Sequence, residues 1–343
     1  MEKYKILKDL IKFNTIKDKE NKQIINYIEK YLKGLNFKTE YKSKNLIMSI
    51  GKEQKVGFLG HTDTVEYIKG WNSDPFELTE INNKLYGLGT CDMKGGIAAM
   101  LDAVSQIDFS KLKYAMKLYF TYDEEVDFGG INELVNMNCK FSELMIFGEP
   151  TNNEILVGSK GLLAYELEFV GKKAHSSNPE KGISANINAI NFLSELMKFY
   201  EENIKPFKVN EYEIPYTTMN VGLINGGSAI NSIPANCKAT LDFRIADNKH
   251  IDLLKSKIDE ISQKYMCNAN ILQCIESFIN KTDITDTTKT ANFITEASFI
   301  NNTTKIMLGI GPVTAHEVNE YITKESYDML VEQYKNIIKN VCF

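Results

Sequence analysis

Two short apolar runs, Lys55–Leu59 and Leu144–Phe147, constrain this chain more than any other feature. Runs of this length without polar alternation read as buried strands. Around them stand segments with apolar residues at helical spacing: 2–13 (Ile6, Leu7, Leu10, Ile11) and 20–35 (Ile24, Ile25, Ile28, Leu32), with Gly34 as a stop. Phe37–Tyr41 and Asn45–Ser49 read as short strands, Met93 to about Val104 as a Gly-containing helix opened by Asp92, Tyr114–Tyr122 as a strand, and Ile131–Met137 as a helix. Alternation of this kind makes an α/β domain, a mostly parallel sheet with helices on both faces.

From about Gly161 the pattern changes. Leu162–Val170 alternates as a half-exposed strand, a helix spans Ala185–Tyr200, strands cover Thr218–Ile224 and Cys237–Ile245, a helix runs His250–Lys264, and a strand follows over Ala269–Ile275. That β-α-β-β-α-β order predicts an inserted ferredoxin-like α+β domain at 161–275. The first domain, 1–160, resumes over 276–343 with a strand at Lys305–Leu308, a loop holding His316, and an amphipathic helix over Lys324–Lys339.

Chemistry in an open α/β sheet collects where strands deliver their carboxyl ends. His61 and Asp63 follow one strand, Glu124-Glu125 a second, Glu149 a third and His316 a fourth, with Asp92 at a helix start beside the same edge. Two imidazoles and several carboxylates suit zinc or a similar divalent ion. With two histidines and three or more carboxylates, a pair of metals sharing a bridging aspartate is the natural count, with one water activated between them. Asp92, Glu125, Glu149 and one hydroxide would neutralise two dications, leaving Glu124 free to shuttle a proton. A carboxylate beside a ligating histidine holds its second ring nitrogen.

Composition narrows the partners. The 343 residues carry a net charge of -5, which argues against nucleic acid and gives no membrane-binding signature. No run approaches the roughly 18 apolar residues of a membrane span. The charged, amphipathic N-terminus reads as a helix and not a secretion signal. The six cysteines are scattered with no CxxC, which fits reduced thiols in a cytoplasmic protein. Arg244 is the only arginine, and a lone guanidinium among lysines suggests a bidentate clamp on a carboxylate.

The motifs resemble those of the dinuclear-zinc aminoacylase/deacetylase/carboxypeptidase family over essentially the whole chain. The resemblance rests on Trp71-Asn72-Ser73-Asp74-Pro75-Phe76, Lys84 to Thr90, Asp92-Met93-Lys94-Gly95, Ile214-Pro215-Tyr216 through Gly222, Thr295-Glu296-Ala297 with Phe299, and His316 to Glu320-Tyr321. It implies a zinc-exopeptidase-like catalytic domain and an inserted dimerisation domain, hence a homodimer. It makes His61, Asp92, Glu125, Glu149 and His316 the ligands of two zinc ions, with cobalt as a possible substitute, Asp92 bridging and Asp63 orienting His61. Glu124 becomes general base and acid. Glutamate at the position of Glu149 goes with deacylases and carboxypeptidases. Lys173-Ala174-His175-Ser176-Ser177 matches the motif whose histidine stabilises the oxyanion from the partner subunit. Asn231 and Arg244 match positions that grip the substrate carboxylate.

The implied reaction is removal of the acetyl group from N2-acetyl-L-ornithine in arginine biosynthesis. Succinyl-diaminopimelate desuccinylase or carboxypeptidase-like dipeptidase chemistry are alternatives within the class, and a catalytically silent binding protein is the alternative outside it. Glu296 is expected to help recognise the ornithine side-chain ammonium. His250 matches no motif and is expected on the surface.

Overall fold

The computed structural model describes residues 3–16 and 21–343. Positions 2 and 20, the expected starts of the first two helices, lie outside the described residues. The chain divides into two compact units: Met1–Val157 with Asn280–Thr287 and Thr295–Phe343, and Gly158–Ile279 with Thr288–Ile294. The segment Thr288–Ile294 was expected with the rest of 276–343 and belongs instead to the second unit. Ala291 explains the return, since its N–H donates to Gly158 O (2.8 Å) and its carbonyl accepts from Lys160 N (3.1 Å).

In chain order the first unit begins with α1 (Lys5–Ile11), α2 (Lys22–Lys33), β1 (Lys38–Lys42), β2 (Asn45–Ile50) and β3 (Gln54–His61). It continues with α3 (Lys94–Ser105), β4 (Ala115–Thr121), α4 (Gly129–Asn136) and β5 (Leu144–Phe147). The second unit carries β6 (Gly161–Val170), α5 (Ala185–Asn203), β7 (Thr218–Gly226), β8 (Asn236–Ile245), α6 (Lys249–Lys264) and β9 (Cys267–Ile275). The chain then returns for β10 (Thr304–Met307) and α7 (Lys324–Cys342).

The large sheet has the order β1-β2-β4-β3-β5-β10. β4, β3, β5 and β10 are mutually parallel, and the hairpin β1–β2 adds an antiparallel edge. Met48, Phe58, Leu118, Ile146 and Ile306 bury one face in a core shared with α1, α2, α3 and α7. The alternate residues Leu59, Tyr119 and Phe147 are also buried, as a parallel sheet covered on both sides requires. On that second face Tyr119 meets Phe141 with ring centroids 5.6 Å apart, and Thr121 bonds Glu296 of the 3-10 turn Glu296–Phe299. Phe128, ahead of α4, stacks against Phe299 at 4.8 Å. A small sheet of Thr79–Ile81, Lys84–Tyr86 and Tyr321–Thr323 lies outside the expected elements. Asn82 and Asn83, both at positive φ, make its hairpin turn.

The second unit is an antiparallel sheet in the order β7-β8-β6-β9. Leu163, Tyr165, Leu167 and Phe169 alternate inward from β6 and meet Phe192 and Leu196 of α5 and Leu254, Ile258 and Ile261 of α6 in one core. His250 corrects the expectation of a surface residue, being only 2% exposed. Thr217 Oγ1 accepts from Ala246 N (2.9 Å) and shares a hydrogen bond with His250 Nδ1 (2.8 Å). Burial lowers the histidine's pKa and keeps it neutral.

Candidate metal centre

β3 runs two residues further than expected, so His61 is its last residue and is fully buried. The Thr62 N–H bonds Thr121 O at 3.0 Å, which holds the ends of β3 and β4 together. His61 Nδ1 faces Asp63 at both its carbonyl (3.1 Å) and its Oδ1 (3.6 Å), while Nε2 lies 3.1 Å from Asp92 Oδ1. Asp63 in turn accepts the Glu125 N–H at Oδ2 (3.2 Å).

Asp92 reaches this edge because α3 packs closely against its surroundings. A Cβ on Gly95 would come within 2.0 Å of Thr90 O, and one on Gly96 within 2.6 Å of Gly148 O. Only glycine permits that approach, and it brings the start of α3 beside the end of β5, where Glu149 follows. The other oxygen of Asp92, Oδ2, lies 3.6 Å from His316 Nε2, and Glu125 Oε2 lies 3.2 Å from the same nitrogen. His316 sits in the left-handed region at φ 63°, unusual for a non-glycine residue.

Potential ligand atoms therefore gather as three groups, two of which share Asp92, His61–Asp92–Glu149 and Asp92–Glu125–His316, while the third joins His61, Glu124 and Glu125. Glu124 stands beside the two that share Asp92, with Oε2 3.9 Å from His61 Nε2. Glu149 Oε1 and Asp63 Oδ1 are buried without a hydrogen-bond partner. Orphaned buried oxygens among converging carboxylates are costly unless a cation joins them. Burial, reinforced by the neighbouring carboxylates, pushes Glu124 and Glu149 well above the usual carboxylate range. Burial alone would lower His61, but Asp63, Asp92 and Glu124 outweigh it and raise the imidazole. Glu125, then Asp92, raise His316 to about 9 against the opposing effect of burial. This donor set, oxygen-rich with two imidazoles, fits divalent metal ions.

Glu296 is fully enclosed behind the site. Its Oε2 accepts from Thr121 Oγ1 (2.9 Å), its Oε1 has no partner, and burial lifts it to about 8. Sequence reasoning gave no role to Glu320. Its carboxylate is buried and accepts from Gly89 N (2.8 Å), Cys91 N (2.7 Å) and Asp92 N (3.0 Å). No local signal distinguishes such a residue, because its partners lie some 230 positions upstream.

The remaining expected residues lie in the second unit. His175 is exposed, in a two-residue strand paired with Ser232–Ile233. Its Nδ1 lies 2.8 Å from Ser177 Oγ and 3.2 Å from Ser177 N. Asn231 adjoins it, its carbonyl accepting from Ser176 N at 3.0 Å. Arg244 lies on β8, where Nε and Nη2 bond the two oxygens of Asp242 at 2.9 and 3.1 Å.

The parallel sheet and the ligand groups at its carboxyl edge define a metal-dependent hydrolase. The chain belongs to peptidase family M20/M25/M40, whose model matches residues 57–340. It is 33% identical to an acetylornithine deacetylase of Pasteurella multocida, covering 95% of this chain and 92% of that protein. It is 32% identical to an acetylornithine deacetylase of Buchnera aphidicola from Schizaphis graminum, covering 99% and 98%. A tripeptidase from Staphylococcus aureus shares the fold, with a TM-score of 0.79 at 20% identity over 98% of this chain and 96% of that one.

Proposed function

We propose that this chain is a two-metal amide hydrolase that deacetylates N2-acetyl-L-ornithine to L-ornithine and acetate. The observation that carries the metal pair is Asp92, which turns one oxygen to His61 and the other to His316. The substrate is carried by the relatives' names and by their near-complete overlap with this chain.

Divalent cations held there, zinc or cobalt, would polarise an acyl carbonyl and lower the pKa of water so that hydroxide is available as the nucleophile. Glu124 is the carboxylate beside the two ligand groups, and its raised affinity for a proton suits a group that takes one from water and returns it to the leaving amine. Asp63 fixes the ring of His61, leaving Nε2 for a metal. His61, Asp92 and Glu149 would hold one ion, and Asp92, Glu125 and His316 the other.

In this reading His175 stabilises the developing oxyanion from a second copy of the chain. Its exposure on the second unit supports the role. Dimerisation is supported by apolar exposure on the second unit: Ile187 and Ile190 of α5, Leu223 and Ile224 of the edge strand β7, and Ile230. Arg244 and Asn231 hold the substrate carboxylate. Asp242 pre-orients the Arg244 fork, which still has donors to offer. Glu296 is the carboxyl group assigned to the ornithine ammonium, a task that requires its ionised form. The reaction sits in the cytoplasm.

The test is hydrolysis by metal-stripped protein reloaded with zinc or cobalt. N2-Acetylornithine, N-succinyl-diaminopimelate and a dipeptide are supplied side by side. Fast, metal-dependent release of ornithine with the other two slow is the expected result. Preference for another substrate overturns the ornithine assignment, and no cleavage despite bound metal overturns the enzyme.

A further inference from the structure

The loop Thr314–Tyr321, which carries His316, is closed at its base by one hydroxyl. Thr314 Oγ1 donates to Tyr321 O (2.7 Å) and accepts from Tyr321 N (3.0 Å). Just before that base stands Glu320, 2% exposed. Both its oxygens are spent on the backbone of the loop that ends in Asp92: Oε2 on Gly89 N, and Oε1 on Cys91 N and Asp92 N. Its own carbonyl accepts from Gly87 N at 3.1 Å. Gly89 has φ +82°, and a Cβ there would meet Thr64 at 2.8 Å, so the Asp92 loop is a tight turn whose N–H groups point inward.

We propose that Glu320 is a positioning residue that locks the Asp92 loop to the His316 loop and thereby sets the affinity of the Asp92–Glu125–His316 metal site. The proposal rests on the metal-pair reading above. That site takes ligands from both loops, which lie more than 200 positions apart in the chain. Among the described residues, Glu320 is the side chain that spans both loops with three main-chain bonds.

A carboxylate suits this task because it is an acceptor on both sides. A carboxamide has one oxygen and one NH2. Whichever way it turns, it sets an N–H against Gly89 N–H or against those of Cys91 and Asp92. Glu320→Gln therefore keeps size and loses the lock.

The experiment is a cobalt(II) titration of metal-stripped protein, read by visible absorption and calorimetry, on wild type, Glu320→Gln and Ile28→Ala. Ile28, buried in α2, reports plain loss of stability. Wild type is expected to take two equivalents. Glu320→Gln is expected to bind one of the two about 10–100-fold less tightly, the range seen when a ligand's outer partner is lost. Ile28→Ala is expected to keep both constants.

Two equivalents in wild type with unchanged constants in Glu320→Gln overturns this inference alone. So does an equal loss in Ile28→Ala. Fewer than two equivalents in wild type overturns the metal-pair reading and this inference with it. Should Glu320→Gln fail to fold, Glu320→Asp is titrated in its place, since it draws the carboxylate back by one methylene. Weakened binding there supports the lock, and wild-type binding overturns it.

Discussion

His61 and Asp92 meet at 3.1 Å between Nε2 and Oδ1, inside a protein edge where His61 has no exposure to solvent. In the absence of metal that contact joins an imidazole to one of several crowded carboxylates. A dication bound there satisfies Glu149 Oε1, which has no other partner. Zinc at 100 times its dissociation constant should add about 2.7 kcal/mol of stability. For a unit of this size that is a rise of about 5–10 °C in melting temperature, reversed by a chelator. Calorimetry of stripped and reloaded protein measures it, and activity should vanish and return in step.

Glu124→Gln should lower kcat about 10²–10⁴-fold, the usual contribution of a positioned acid–base group. Metal stoichiometry should not change if the ions sit in the two groups that share Asp92, since Glu124 belongs only to the third group, with His61 and Glu125. Steady-state kinetics paired with metal analysis decides this. A variant that also loses a metal would make Glu124 a ligand.

Arg244→Lys should raise KM for a carboxylate-bearing substrate about 10-fold while leaving kcat within a few-fold, since a lysine cannot reproduce the fork held by Asp242. An equal loss in kcat would move Arg244 from binding to the chemical step.

Glu296 predicts how the metal-free protein responds to pH. Burial raises its carboxyl from 4.5 to about 8 in the folded state. Between those values the folded protein holds a proton that the unfolded chain has lost, so stability falls as pH rises. Urea midpoints of stripped protein should decline from pH 5 to pH 8, and Glu296→Gln should decline less. Parallel slopes would remove Glu296 as a source of the effect.

In the second unit the sign is opposite. Lys264, Lys257 and Tyr265 hold Glu195 at about 2, below its ordinary 4.5. Its contribution is present above about pH 4.5 and fades as pH falls towards 2. Glu195→Gln should lower the urea midpoint at pH 7, and the gap to wild type should narrow at pH 3. A constant gap would assign the effect to something other than charge.

Much of the first unit could be read from residues alone. Leu144–Phe147 is a strand over the whole of its expected length, because a short apolar run bounded by polar residues admits few other structures. The candidate positions His61, Glu124-Glu125 and Glu149 were legible for the same reason: each follows an apolar run, and strand ends converge in an open sheet. What escaped depends on partners remote in sequence. His250 matched no motif, yet a threonine 33 residues earlier makes its burial tolerable. Thr288–Ile294 has no periodicity to announce that it rejoins the second unit. Glu296 was read as a recognition group, but its enclosure arises from a turn packed against β4, which no spacing reveals. The hairpin at Asn82-Asn83 did carry a signal, two residues tolerant of positive φ between short strands, and was passed over.

The ligand order along the chain has a consequence for synthesis. His61, Asp92, Glu125 and Glu149 are all synthesised before the second unit, whereas His316 follows the entire second unit. A nascent chain can therefore assemble the His61–Asp92–Glu149 group long before the other group exists. Metal loading during synthesis would then be ordered in time, one ion before the second unit is made and the other only after it.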